Sequence, residues 1–308
     1  MTHAHTCTSR TLPRLLAHAL LLFGCLLPLA AAADTLQRIK DSNTFTLGFV
    51  PGYAPFSEGD SKVANGFTID LCLQVAERVK QHLALPELRV RYQPVAIEQM
   101  LNAVADGQVD ILCSPVDETL QRREQVSFSQ PVITTGLGVI VRSDAPPTLL
   151  GPLQNQLVDT GPLWRGNAGQ ALNRFSFAVL GATRSADWAR QRIRELGLKS
   201  ELVLVSSSAE GIRMVADGQV DAFFDDRLVL LNSRAEQAEP ERFTVPAKLF
   251  DETPAALPLA RGDEDFRLLV DTALSGVFRS PLGATIYAKY FGEPSAQTRL
   301  LFRLYSLP

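Results

Sequence analysis

Val104-Ala105-Asp106-Gly107-Gln108-Val109-Asp110 recurs unchanged as Val215-Ala216-Asp217-Gly218-Gln219-Val220-Asp221. A seven-residue copy at this distance implies a chain built from two similar halves. Each copy reads as the end of a helix, stopped by a glycine that takes the left-handed conformation cheaply, followed at once by an apolar run entering a strand. The runs are Ile111-Leu112-Cys113 and Ala222-Phe223-Phe224. In open α/β sheets ligands sit beyond the carboxyl ends of strands, so the residues just after each run are expected to face a common cleft. The first run leads toward Arg122 and the second to Asp225-Asp226. A positive anchor from one half and a negative anchor from the other suit a zwitterion.

The 308 residues are 46% hydrophobic and 20% charged, enough for two globular domains. Residues 1–33 read as a cleaved secretory signal peptide: Arg10 and Arg14 precede the uncharged stretch Leu15 to Ala30, and Ala31-Ala32-Ala33 supply small residues before Asp34. An uncleaved anchor and lipid attachment at Cys25 are the alternatives, the latter opposed by the bulky Phe23 upstream. Losing this leader moves the net charge from −3 to −5, which argues against nucleic-acid partners. It also leaves His82 as the single histidine and Cys72 and Cys113 as the only cysteines. That set makes neither an ordinary zinc site nor an obvious Ser-His-Asp system, so no metal, cofactor or catalytic residue is expected. In an oxidising compartment two cysteines tend to pair, and a Cys72–Cys113 disulfide is expected over two buried thiols.

From Asp34 the signals alternate between strand and helix. Phe45 to Val50, Leu88 to Val95 and Thr135 to Val141 read as strands, and Phe67 to Leu83 and Met100 to Ala105 as helices. The second half repeats the scheme with strands at Phe175 to Leu180 and Glu201 to Val205 and a helix at Ser185 to Leu196. A capping box at Ser207 to Glu210 opens the next helix. Ala255 to Leu259 reads as a second crossing strand, followed by helices from Glu264 to Val277 and Gly283 to Tyr290. The expected fold class is α/β, with two lobes of mainly parallel sheet flanked by helices and two crossing strands as hinge. Lobe 1 is assigned to 34–138 plus 254–308 and lobe 2 to 139–253. The proline-rich stretch 146–173, carrying Trp164 and Arg165, is an atypical excursion.

Five pieces in order resemble the bacterial extracellular solute-binding proteins of family 3, receptors of amino-acid ABC importers. They are Gly52-Tyr53-Ala54-Pro55-Phe56, Gly66-Phe67-Thr68-Ile69-Asp70-Leu71, Gly107-Gln108-Val109-Asp110, Arg122 followed by Phe128-Ser129-Gln130-Pro131, and Gly181-Ala182-Thr183. The resemblance implies a type II periplasmic-binding-protein fold and a ligand held between the lobes. It assigns Arg122 to the α-carboxylate, for which a bidentate guanidinium pair is the physical reason. Gly181, Ala182 and Thr183 would add backbone donors at a helix start. Asp226, with Asp225 beside it, would take the α-ammonium, Tyr53 would cover the ligand, and Ser114 would accept from the ammonium. Asp117 stands where relatives commonly carry Ser or Thr, and Ala182 replaces a frequent hydroxyl. Asp117 either favours a cationic ligand or caps a turn. An acidic ligand lacks its usual basic residue, although Arg184 keeps it open.

The resemblance thus implies a periplasmic, monomeric receptor that passes an amino acid to an inner-membrane ABC permease. The rival is an enzyme on the same fold, similar to cyclohexadienyl dehydratases, with Glu210 and Asp117 as candidate general acids.

Overall fold

A computed structural model describes residues 34–154 and 172–308, together with Met1 and His3. The rest of the expected leader, with Cys25, lies outside the described residues, as do Trp164 and Arg165 in the 146–173 stretch. No helix among the described residues is long and apolar enough to cross a membrane.

The strands in chain order are β1 (Thr44–Phe49), β2 (Glu58–Gly59), β3 (Ala64–Asn65), β4 (Arg89–Pro94), β5 (Ile111–Leu112), β6 (Val116–Asp117) and β7 (Ser127–Phe128). There follow β8 (Ile133–Arg142), β9 (Phe177–Leu180), β10 (Leu202–Val205), β11 (Ala222–Asp226), β12 (Phe243–Thr244), β13 (Glu252–Ala256) and β14 (Pro258–Leu259). One sheet has the order β4-β1-β5-β14-β7, and the other β10-β9-β11-β8-β13-β6 with β12 paired to β8. Among the described residues parallel pairing is confined to β1 with β4 and β5, and to β9 with β10 and β11. The crossing strands β8, β13 and β14 add antiparallel neighbours. Parallel neighbours need a helical crossover between them, and the crossing strands enter without one, so the sheets are mixed. The second crossing strand is two elements. Leu257 breaks it, gripped by Ser129, which donates its N–H to the Leu257 carbonyl and accepts the Leu257 N–H on Oγ, each at 3.0 Å.

Alternation sorts the second sheet's two faces. Val139, Val141, Phe177, Val179 and Phe224 pack on one side, while Ile140, Ala178, Leu180 and Phe223 pack on the other. Phe45, Leu47, Phe49 and the fully buried Phe56 and Phe67 build the core of the first lobe with the helix Glu264–Phe278. Among the described residues five α-helices go beyond the sequence reading: Thr35–Ser42, Pro147–Gln154, Arg227–Ala235, Ala296–Tyr305 and the four-residue Leu120–Arg123. The first is only eight residues long and the second contains Pro152, so neither shows an extended apolar period.

The repeated heptapeptide does the same job twice. Gly107 and Gly218 end their helices at φ 67° and 70°. Asp110 donates its N–H to the Thr46 carbonyl at 3.0 Å and accepts the Thr46 N–H on Oδ2 at 2.8 Å. Asp221 makes the same two bonds to Ser176, at 3.0 and 2.8 Å. Each aspartate therefore latches the first strand of its own half.

Cys72, on the helix Phe67–His82, is disulfide-bonded to Cys113 at the end of β5, with Cα atoms 6.1 Å apart. Thr68 Oγ1 donates to the Cys113 carbonyl at 2.6 Å, so helix and strand end are fastened twice. Closing a loop of 41 residues is worth roughly 3–4 kcal/mol in the chain-entropy account. Replacing both cysteines with alanine is expected to lower stability by about that much. Denaturant unfolding of the double variant beside the oxidised protein measures it.

Candidate functional site

A cleft lined from both sheets collects the expected residues. Tyr53, Ser114, Asp117, Arg122, Thr183 and Asp226 all line it. Ala182 does not, being exposed on the turn before the helix Arg184–Glu195. Its φ of 54° is left-handed, which costs a residue with a Cβ about 1 kcal/mol. Ala182→Gly is expected to raise stability by roughly 0.5–1 kcal/mol, read as a small rise in melting temperature.

Arg122 belongs to the short helix Leu120–Arg123, whose N-cap Thr119 accepts the Arg122 N–H at 3.2 Å. The Arg122 Nη1 donates to the backbone carbonyl of Asp117 at 2.8 Å, which aims the guanidinium without neutralising it. Burial pushes the Arg122 guanidinium below its usual range. Burial pushes the Asp117 carboxyl up, against the pull of Arg122 and Arg184.

Opposite stand Asp225 and Asp226 at the end of β11. Asp226 is also the N-cap of the helix Arg227–Ala235, its Oδ1 accepting the N–H groups of Leu228 and Val229 at 2.8 and 3.4 Å. Its Oδ2 accepts from Thr135 Oγ1 at 2.6 Å. Asp225 is buried and accepts from Ser208 Oγ and from the Asp226 N–H. Desolvation dominates both groups, raising the Asp225 carboxyl to about 6 and Asp226 to about 7. Tyr53, which follows β1, lines the same cleft, its ring backed by Phe56 at 5.6 Å. Burial and the nearby Asp225 and Asp226 hold its phenol well above the usual range.

Ser114 is fully committed to the frame. Its Oγ accepts the Val50 N–H at 2.8 Å and bonds Ser57 Oγ at 2.7 Å, while Ser57 donates to the Val50 carbonyl. With the Ser57 proton used on Val50, the Ser114 hydroxyl donates to Ser57, so its proton is spent within the frame. Thr183 caps the helix Arg184–Glu195, accepting the Ala186 N–H and donating to the Leu180 carbonyl. Sequence reasoning passed over Thr135, Ser185, Asp251 and Thr253, which also line the cleft. Asp251 and Thr253 hold Arg184 by an ion pair and a hydrogen bond. Thr253 is brought beside Thr135 by the β8–β13 register, and no local pattern announces that pairing.

A cleft between two α/β sheets joined by crossing strands, lined by arginines and by paired aspartates, is the architecture of the two-lobe, type II periplasmic-binding class. The sequence profile of the bacterial extracellular solute-binding proteins, family 3, matches residues 45–293, and the chain belongs to that family. It is 28% identical over 296 residues to the L-glutamate/L-aspartate-binding protein of Pseudomonas aeruginosa, covering 92% of this chain and 89% of the relative. It is 24% identical to the cyclohexadienyl dehydratase of the same organism, covering 84% and 89%. Its fold is shared with an ancestral amino acid-binding protein described as a precursor of cyclohexadienyl dehydratase. That likeness has a TM-score of 0.66 and 23% identity, covering 84% of this chain and 100% of the other.

Proposed function

We propose that this protein is a periplasmic receptor that closes two lobes on an amino acid and presents it to an inner-membrane ABC permease. The observation that carries the reading is the pair of opposed anchors: the Arg122 guanidinium, aimed by a backbone carbonyl, and Asp226, across the same cleft. Arg122 takes the α-carboxylate with help from the helix start at Thr183, Asp226 takes the α-ammonium, and Tyr53 covers the ligand. The amino-acid-binding names of the Pseudomonas relative and the ancestral protein support this ligand class. On this reading residues 1–33 are cleaved on export. The lobes run 34–138 with 254–308, and 139–253, and the mature chain works as a monomer without a catalytic step. Closure is a hinge motion bridged by the ligand.

The test is the melting temperature of the purified protein, unfolded and refolded to strip carried ligand, against each amino acid. A ligand at a hundred times its Kd adds about 2.7 kcal/mol, a shift of several degrees. A folded protein that responds to none of them fails the receptor reading.

A second reading, an enzyme akin to the dehydratase relative, draws on the carboxyls held up toward neutrality in the cleft, a feature of general acids. Glu210 does not serve it. Its carboxylate is tied to the Ser206 N–H and Oγ, which hold it below the usual range. That bond also departs from the expected capping box, in which Glu210 would bond the N–H of the N-cap Ser207. Turnover of a cyclohexadienyl substrate by the purified protein would favour this reading.

A further inference from the structure

The cleft contains one guanidinium more than an α-carboxylate needs. Arg122 and Arg184 both line it, and they are held in different ways. Among the described residues Arg122 makes no ion pair and is aimed by a neutral carbonyl. Arg184 is the first residue of its helix, where the macrodipole disfavours a cation. It is retained there by Asp251 and Thr253, which engage two of its five N–H donors and leave three for another partner.

We infer that Arg184 reads the ligand's side chain, and that the side chain it takes is a carboxylate, so that the ligand class is a dicarboxylic α-amino acid. The inference rests on the receptor reading above and deepens it. Arg122 and Arg184 are near enough to repel one another, and Asp117 is near enough to be attracted by both. A ligand with two carboxylates relieves that repulsion at both arginines at once. A cationic side chain would meet both arginines there, and the two carboxylates at that end, Asp117 and Asp251, are already drawn to them. A neutral amide can accept from Arg184 through its oxygen, but without the charge that makes such bonds strong. The exposed N–H groups at the helix start, where Thr183 and Ser185 line the cleft, favour the same sign. Asp251 is then the resident counter-ion of Arg184. It holds the guanidinium in place and competes with the ligand for it.

Calorimetric titration of the purified, refolded protein with L-glutamate, L-aspartate, L-glutamine, L-asparagine and L-arginine tests this. An acid is expected to bind about a hundredfold more tightly than its amide. Arg184→Gln is expected to bring that ratio close to one while amide binding persists. Asp251→Asn is expected to tighten acid binding about three- to tenfold by removing the competing charge, the opposite of what loss of a structural ion pair would do. Wild-type protein that takes glutamine or arginine as tightly as glutamate overturns the inference and leaves the receptor reading standing. So does an acid-to-amide ratio unmoved by Arg184→Gln, or a loss of acid affinity in Asp251→Asn. If Arg184→Gln does not fold, as judged by its melting curve, the Asp251→Asn titration decides. Silence toward every amino acid by folded protein overturns both.

Discussion

Arg122→Ala is expected to weaken binding of any α-amino acid by about two to three orders of magnitude. Truncating one partner of a buried, hydrogen-bonded charge pair typically costs 2–5 kcal/mol, and Arg122 has the features that place it within that range. It is desolvated, it is aimed by the Asp117 carbonyl, and no carboxylate among the described residues neutralises it by contact. Its removal also leaves the bound carboxylate beside Asp117 with less opposing charge. The fold should survive, because Thr119 still caps the short helix through the residue-122 N–H. Arg122→Lys is the companion variant: it keeps a charge and loses the planar fork, so its affinity should fall between the two. Titration calorimetry on folded variants checks both, and undiminished affinity in Arg122→Ala would sink the carboxylate assignment.

Asp226→Asn should separate two roles that one side chain performs. Asparagine caps helices as well as aspartate does, so the bonds to Leu228 and Val229 can persist and the fold with them. The charge offered to the ligand's ammonium is lost, and affinity should fall roughly ten- to hundredfold. The remainder reflects Asp225 behind it. The pH dependence has a definite sign. Without a ligand Asp226 and Asp225 hold their protons to about pH 7 and 6, because burial disfavours their charged forms. An ammonium needs the carboxylate, so wild-type affinity should decline as pH drops below 7, with proton release on binding. Stability runs the other way. Both native carboxyls titrate above their unfolded values, so stabilisation present at acid pH is lost as pH rises through 6 to 7. Asp226→Asn removes the larger part of that loss and should raise the melting temperature of the ligand-free protein at pH 8 by a few degrees. Melting curves of both proteins at pH 5 and pH 8 check this, and a variant that melts lower at pH 8 would contradict the desolvation account.

Much of the fold and site is legible in the chain because it is local. The repeat announces two halves, and Gly107 and Gly218 do end helices at positive φ. Tyr53 and Arg122 can be located because each stands at a set distance from a turn or strand end. The features that escape are those the tertiary fold brings together from afar. The acidic and hydroxyl partners of Arg184 come from β13 and the residue before it, about seventy positions on, and only the pairing of β13 with β8 sets them at the cleft. The sequence admits Asp226 as a ligand anchor or as a cap, whereas the structure shows the cap and sets the same carboxyl on the cleft wall. Ala182 illustrates the opposite case: a motif position whose side chain is exposed and whose backbone carries strain.

The paired latches made by Asp110 and Asp221 separate scaffold from selectivity. In each half the aspartate is spent on holding the opening strand, and the divergence comes after it, at Cys113-Ser114 in one and Asp225-Asp226 in the other. A duplicated cassette of this kind lets one strand tip be rewritten while its anchorage is left alone. The tip beyond the second latch is therefore the natural grafting point for altering what such a receptor recognises, whereas Cys113-Ser114, tied in by the disulfide and by Ser57, belongs with the latches among the positions to leave untouched.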